Sequence, residues 1–61
     1  HVKGTEEHLT ILTGEVEVSS EGDIQKLSSG DTARYKADVK HFIKNVGPLD
    51  AHAVLMVLSP Q

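Results

Sequence analysis

Apolar residues recur at every second position along most of this chain, a period that is typical of β-strands. Val16 and Val18 alternate with Glu15 and Glu17, so one face of that segment would be apolar and the other charged. Turn signals containing Gly, Ser, Asp or Pro interrupt the pattern at intervals of about 8–12 residues. Short strands with frequent turns predict an all-β domain, either an antiparallel sandwich or a barrel. The predicted strands are residues 7–13, 15–20, 24–27, 32–35, 41–46 and 51–59.

The last predicted strand, "AHAVLMVLS", is the most apolar part of the chain. Both of its faces are apolar, so we expect it to be covered on both sides. The chain has 61 residues, no Cys, no Trp, one Phe and one Tyr, so its core must come from aliphatic side chains. A domain of this size buries only about 60% of its unfolded surface. Because exposed sheet edges also need covering, we expect a homodimer.

The charge pattern narrows the classes of function. The net charge is −3, and the six Lys and Arg residues are scattered, which argues against nucleic-acid binding by this segment itself. No apolar run approaches the ~20 residues of a membrane span, so we expect no membrane contact. The lack of Cys excludes thiolate metal sites and is compatible with a cytoplasmic location. The sequence contains no nucleophile elbow and no phosphate-binding loop, which argues against a hydrolase or a nucleotide-dependent enzyme that uses these motifs.

Two ionisable residues fall on strand faces that alternation makes apolar. Glu7 would share its face with Leu9 and Ile11, and His41 would share its face with Ile43. If these faces line the interior, a carboxylate and an imidazole project into a confined space. A divalent metal or a hydrogen-bonded ligand would then hold the carboxylate ionised. The alternatives are a solvated edge for Glu7 and a structural role for His41.

The spacing of these residues resembles the two sequence motifs of the cupin family. The first cupin motif ends in a glutamate, six residues and a glycine, which Glu7 and Gly14 match. The second contains a glycine, a turn, a histidine and, after three more residues, an asparagine. Gly30, His41 and Asn45 reproduce that spacing. The resemblance implies a small double-stranded β-helix, the cupin barrel, with residues 1–61 forming a single domain.

The sequence also departs from the cupin pattern. Lys36 and Asp38 replace the proline and glycine of the second motif's turn. The first motif normally carries two histidines ahead of the glutamate, whereas this chain has only His1 there, and five residues separate it from Glu7. We therefore expect a fragment of a longer protein that lacks the N-terminal strands of the barrel.

The resemblance implies a set of site residues. Metal ligands would be His1, Glu7 and His41, and their nitrogen and oxygen donors suit Zn, Mn, Fe or Ni about equally. The ligand-binding candidates are Tyr35, Asn45 and His52. Asn45 could equally fix the turn before Gly47 by local backbone hydrogen bonds, and His52 could equally pack on the exterior or at a dimer interface. No catalytic residue is assigned.

A closer resemblance narrows the expected function. The segments "GTEEHLTILTGEVEV" and "GDTARYKADVKHFIKNVG" resemble the C-terminal cupin sensor domain of bacterial helix-turn-helix regulators of the XRE type. This implies a cytoplasmic sensor that binds a small-molecule effector. DNA would be bound only through an upstream helix-turn-helix domain. The alternatives are a metal-dependent cupin enzyme of the isomerase or dioxygenase type, or a structural dimerisation module.

Overall fold

Strands account for all the regular secondary structure of residues 2–60, which are the residues that this computed structural model describes. The all-β prediction is confirmed, and each predicted strand end lies within one residue of the observed end. Because these residues form no helix, they contain none that could span a membrane. The strands are β1 (Glu6–Thr13), β2 (Glu15–Ser20), β3 (Asp23–Ser28), β4 (Thr32–Lys36), β5 (His41–Asn45) and β6 (His52–Leu58).

The strands form two antiparallel sheets with three strands each. The first sheet has the order β4-β1-β6, and the second has the order β3-β2-β5. Directly paired residues lie on the same face of a sheet, so the pairing registers show which side chains point inward. The inward positions near the middle of both sheets are aliphatic and form one core. Its buried members are Leu9, Ile11, Val16, Val18, Leu27 and Ala33.

Gly14 carries the chain from the first sheet to the second. Its φ is +93°, a conformation that side chains disfavour. A Cβ atom at this position would lie 2.8 Å from Cα and 2.9 Å from Cβ of Ala51, which packs against the core. The glycine is therefore required twice, once by its backbone conformation and once by the close approach of Ala51.

The strand β6 is less covered than its sequence predicts. All seven of its residues are exposed, and the inward-facing Leu55 and Val57 are each 46% exposed. The expectation that this strand is covered on both sides is therefore wrong for the described residues. The physical reason is its position, because β6 lies at the edge of its sheet and pairs with β1 alone among residues 2–60.

The two requirements at Gly14 can be separated by mutation. We expect Gly14→Ala to lower the free energy of unfolding by about 2 kcal/mol or more, since it adds a steric overlap to backbone strain. Gly30→Ala is the matched control, because Gly30 has nearly the same φ, +92°, and no atom within 4 Å of its Cβ position. Gly30→Ala should lower the free energy of unfolding by only about 1 kcal/mol. Urea unfolding of both variants checks this, and equal losses would contradict the role given to Ala51.

Candidate functional site

One end of the interior is polar. In the first sheet Glu7 pairs with Tyr35, and in the second Ser20 pairs with His41. On β1, β2 and β4 these inward positions are adjacent to the buried core residues Leu9, Val18 and Ala33, and on β5 the inward neighbour of His41 is the exposed Ile43. Polar residues at inward positions contribute little to packing, so this end of the molecule is the candidate functional site.

Glu7 lies at the centre of this site. Its side chain points inward, on the face that it shares with Leu9 and Ile11, and the residue is only 4% exposed. The Tyr35 hydroxyl donates a hydrogen bond of 2.6 Å to Glu7 Oε1. The second carboxylate oxygen, Oε2, lies 3.6 Å from His41 Nε2. The site therefore combines a carboxylate, a phenol and an imidazole that come from three different strands.

The orientation of the His41 ring is set by its own loop. Nδ1 lies 2.8 Å from the carbonyl oxygen of Val39. A carbonyl oxygen only accepts hydrogen bonds, so Nδ1 carries the hydrogen in this contact. In neutral His41 the lone pair is then on Nε2, the nitrogen that faces Glu7. The ring also packs near Tyr35, with a centroid distance of 6.0 Å and an interplanar angle of 44°.

The environment keeps the Tyr35 phenol protonated. Partial burial raises the pKa of Tyr35 above its ordinary value, and the hydrogen bond to the Glu7 carboxylate and its negative charge raise it further. The phenol therefore remains a hydrogen-bond donor to Glu7 throughout the physiological pH range.

Glu6, the neighbour of Glu7, has a separate environment. Its carboxylate accepts a hydrogen bond of 2.8 Å from Nε of Arg34 on the outer face of the first sheet. This interaction lowers the pKa of Glu6 below its ordinary value. Adjacent residues of a strand point to opposite faces, so one glutamate forms a surface ion pair and the other enters the interior.

The remaining predicted site residues lie elsewhere. Asn45 accepts a hydrogen bond from the Gly47 N–H at 3.1 Å and donates one to the Leu49 carbonyl at 3.0 Å, so its amide closes the turn after β5. His52 is exposed at the start of β6, while Val57 is the β6 residue that pairs with Glu7. Five residues of strand separate these two positions by about 17 Å. The structure therefore brings neither Asn45 nor His52 to Glu7, and their ligand-binding roles stay predictions. His1 lies outside the described residues.

Sequence reasoning did not identify the cavity beside this site. Its volume is about 290 Å³, and it opens between the edge strands β3 and β4 next to Tyr35. Asp23 and Gln25 line it from inward positions of β3, on the same face as the buried Leu27. The sequence contained a signal for this cavity, because the polar Asp23 and Gln25 stand four and two positions before the core residue Leu27 and therefore share its strand face. Ser20, Arg34 and Lys36 also line the cavity.

Glu7 and His41 are arranged as two ligands of one metal ion would be. Two donor atoms at about 2.1 Å from a tetrahedral ion are about 3.4 Å apart, and Oε2 and Nε2 are separated by 3.6 Å. A histidine that binds metal usually donates its other ring N–H to a carbonyl or carboxylate, as Nδ1 does here to Val39. Residues 2–60 contain no cluster of three or more His, Asp or Glu side chains placed to hold a metal. The described residues therefore supply two donor atoms at a spacing that a metal ion could bridge, one fewer than the three protein ligands of a typical catalytic zinc site.

Comparisons with known proteins agree on the family. A family model described as "Cupin domain" matches residues 1–58. A curated relative, the HTH-type transcriptional regulator SutR of Escherichia coli (strain K12), is 31% identical over 61 residues. The alignment covers 100% of this chain and 34% of the relative, so the chain spans about a third of the relative's length. No solved structure matches the chain.

The state of Tyr35 can be measured directly, because it is the only tyrosine of the chain. We expect its ultraviolet titration to occur above the ordinary tyrosine value of about 10. In Glu7→Gln the titration should move to lower pH, since the charge is lost, but stay above that value because the burial remains. Titration of the parent at the ordinary value would contradict the burial and hydrogen bond described for Tyr35.

The raised pKa of Tyr35 also predicts how the stability of the fold changes with pH. A pKa that is higher in the folded than in the unfolded chain stabilises the fold below the unfolded value, and that stabilisation is lost as pH rises through the folded value. The Tyr35 contribution should therefore fall above a pH of about 10. Urea unfolding across this range checks it, with Tyr35→Phe as the control that lacks this contribution.

Proposed function

Because this chain belongs to the cupin domain family, we propose that it is the ligand-sensing domain of a bacterial transcriptional regulator. A small-molecule effector would bind at the polar end of the interior, beside Glu7, Tyr35 and His41. A helix-turn-helix domain elsewhere in the protein would bind the DNA. The regulator name of the E. coli relative supports this assignment. In this proposal the protein is a cytoplasmic homodimer and not an enzyme.

The buried carboxylate of Glu7 is the observation that carries the proposal. An ionised carboxylate at 4% exposure is costly unless other groups compensate its charge. A core strand would gain more from an aliphatic residue at this position, so the presence of Glu7 with Tyr35 and His41 is better explained by binding. Ligand sites use a few convergent polar groups to fix the orientation of the ligand, and Glu7, Tyr35 and His41 would do so here, beside a cavity lined mainly by polar side chains. The cavity of about 290 Å³ suits a small ligand.

A divalent metal is part of this proposal. Glu7 Oε2 and His41 Nε2 would hold it, and Zn, Mn, Fe and Ni remain equally suited to these donors. When bound, the metal would supply a Lewis acid to which an oxygen or nitrogen atom of the effector could coordinate. Tyr35 would hold the Glu7 carboxylate in place through the other oxygen. The Val39 carbonyl would orient the His41 ring.

Signal transmission requires that the effector prefer one conformation of the protein. A ligand shifts a conformational equilibrium only by its difference in affinity for the two states. The exposed apolar strand β6 offers a surface through which a second subunit could be contacted. It also supports the second candidate, a structural dimerisation module in which the site holds no ligand.

The metal part of the proposal is tested by calorimetric titration of the protein with Zn²⁺. The parent should bind one ion per chain, and His41→Ala should weaken binding by about tenfold or more because a ligand is lost. His52→Ala is the matched control, since it removes an exposed histidine that lies away from Glu7. Equal weakening in both variants would contradict the assigned site. Metal-dependent turnover of a small substrate would instead favour a cupin enzyme.

The effector part is tested in the full-length protein by thermal-shift screening of small polar metabolites, followed by DNA-binding assays. An effector present at 100 times its Kd should add about 2.7 kcal/mol of stability. It should also change the affinity for operator DNA. Glu7→Gln keeps an acceptor for the Tyr35 hydroxyl but removes the charge, so both effects should be lost. A metabolite that acts equally on the parent and on Glu7→Gln binds somewhere else.

A further inference from the structure

A loop between β4 and β5, residues 37–40, connects the candidate site with a turn formed by residues 2–5. We infer that Asp38 is a positioning residue that couples His41 to this turn, so that a change at the site alters how firmly the turn is held. The inference rests on the proposed function for its biological meaning, because the coupling would carry the occupancy of the site to residues 2–5. The coupling would run through a chain of contacts formed by Gly4, Asp38, Val39 and His41.

The first part of the path joins the loop to the turn. The Asp38 carboxylate accepts a hydrogen bond of 2.6 Å from the Gly4 N–H. The neighbouring Ala37 N–H donates one of 2.9 Å to the Thr5 carbonyl. Ala37 and Thr5 are 2% and 1% exposed, so the backbone of the loop and of the turn meet in a dry contact. The Asp38 side chain adds a charge-assisted hydrogen bond to that contact.

The second part of the path joins the same loop to the site. Val39 follows Asp38 directly, and its carbonyl accepts the hydrogen bond from His41 Nδ1. A cation bound at Nε2 would make Nδ1–H a stronger donor, because the positive charge is shared by both ring nitrogens. Occupancy at Nε2 therefore strengthens the bond to Val39 and restrains the loop at the residue next to Asp38.

The two ends of the loop are fixed separately. The Ser20 hydroxyl donates a hydrogen bond of 3.0 Å to the Lys36 carbonyl, and the Glu21 N–H donates one of 2.9 Å to the Lys40 carbonyl. These bonds hold both ends of the loop to β2 and the turn that follows it. The contacts of the path are made by the middle of the loop, by Asp38 and Val39.

The turn geometry does not explain Asp38 itself. Asp38 does not have a positive φ, and the hydrogen bond that its carboxylate accepts comes from Gly4, outside the loop. The carboxylate serves the contact with Gly4 and leaves the core untouched. Asp38 can therefore be replaced without removing any buried apolar group, which makes the coupling open to measurement.

The test is a double-mutant cycle in the metal-free protein, read by amide hydrogen exchange at Gly4. His41→Ala should accelerate Gly4 exchange by about fivefold or more, the lower range of measured couplings. Asp38→Ala should accelerate Gly4 exchange as well. The double variant should exchange little faster than the faster of the two single variants, because both substitutions break the same path. Asp38→Asn keeps an acceptor oxygen and should retain part of the protection. Gly30 N–H, which donates to the Ile11 carbonyl, is the internal control and should not change.

Additive effects, or no effect of His41→Ala on Gly4, would overturn the inference. His41→Phe and Asp38→Gly, which also remove the donor and the acceptor, provide the same cycle if an alanine variant does not fold. Saturation with Zn²⁺ should slow Gly4 exchange in the parent but not in Asp38→Ala, and Asp38→Ala should bind Zn²⁺ more weakly by the same factor. Failure of the parent to bind Zn²⁺ would defeat the proposed metal site alone, since the metal-free cycle decides the coupling.

Discussion

The register of β1 decides which of two adjacent glutamates enters the interior. Strand side chains alternate between faces, so a shift of one residue would exchange the environments of Glu6 and Glu7. The burial of Leu9 and Ile11, at 3% and 0% exposure, holds the register in place. The same apolar contacts that stabilise the core therefore place the carboxylate of Glu7 among its partners, and the candidate site depends on the packing of its neighbours.

The site is assembled from elements that are distant in the sequence. Tyr35 comes from the strand that pairs with β1, whereas His41 comes from the facing sheet. The Glu7 carboxylate contacts both, one through each oxygen. This arrangement makes the carboxylate a junction between the two sheets. Under the proposed function, a ligand that competes for either oxygen would change a contact within one sheet or between the sheets, and that change would bias the conformation of the domain.

Much of the fold and part of the site were predictable. The alternation and the turn residues located all six strands, because short antiparallel strands are governed by local pattern. The same alternation placed Glu7 on one face with Leu9 and Ile11, but it left open whether that face was the interior or a solvated edge. Asn45 matched a family spacing, but its amide closes a local turn, and spacing alone does not distinguish these roles. The exposure of β6 was not predictable either, since an apolar sequence does not reveal whether its strand lies at an edge.

The sequence by itself determined where the strands begin and end, which residues share a strand face, and that Gly14 stands at a turn, because these properties depend on neighbours along the chain. Only the tertiary structure decided that the Tyr35 hydroxyl bonds Glu7, that the Val39 carbonyl orients His41, and that Asp38 holds Gly4. Hydrogen bonds of about 3 Å depend on how the strands and loops are placed in space. That placement follows from the packing of two sheets, which no local pattern encodes.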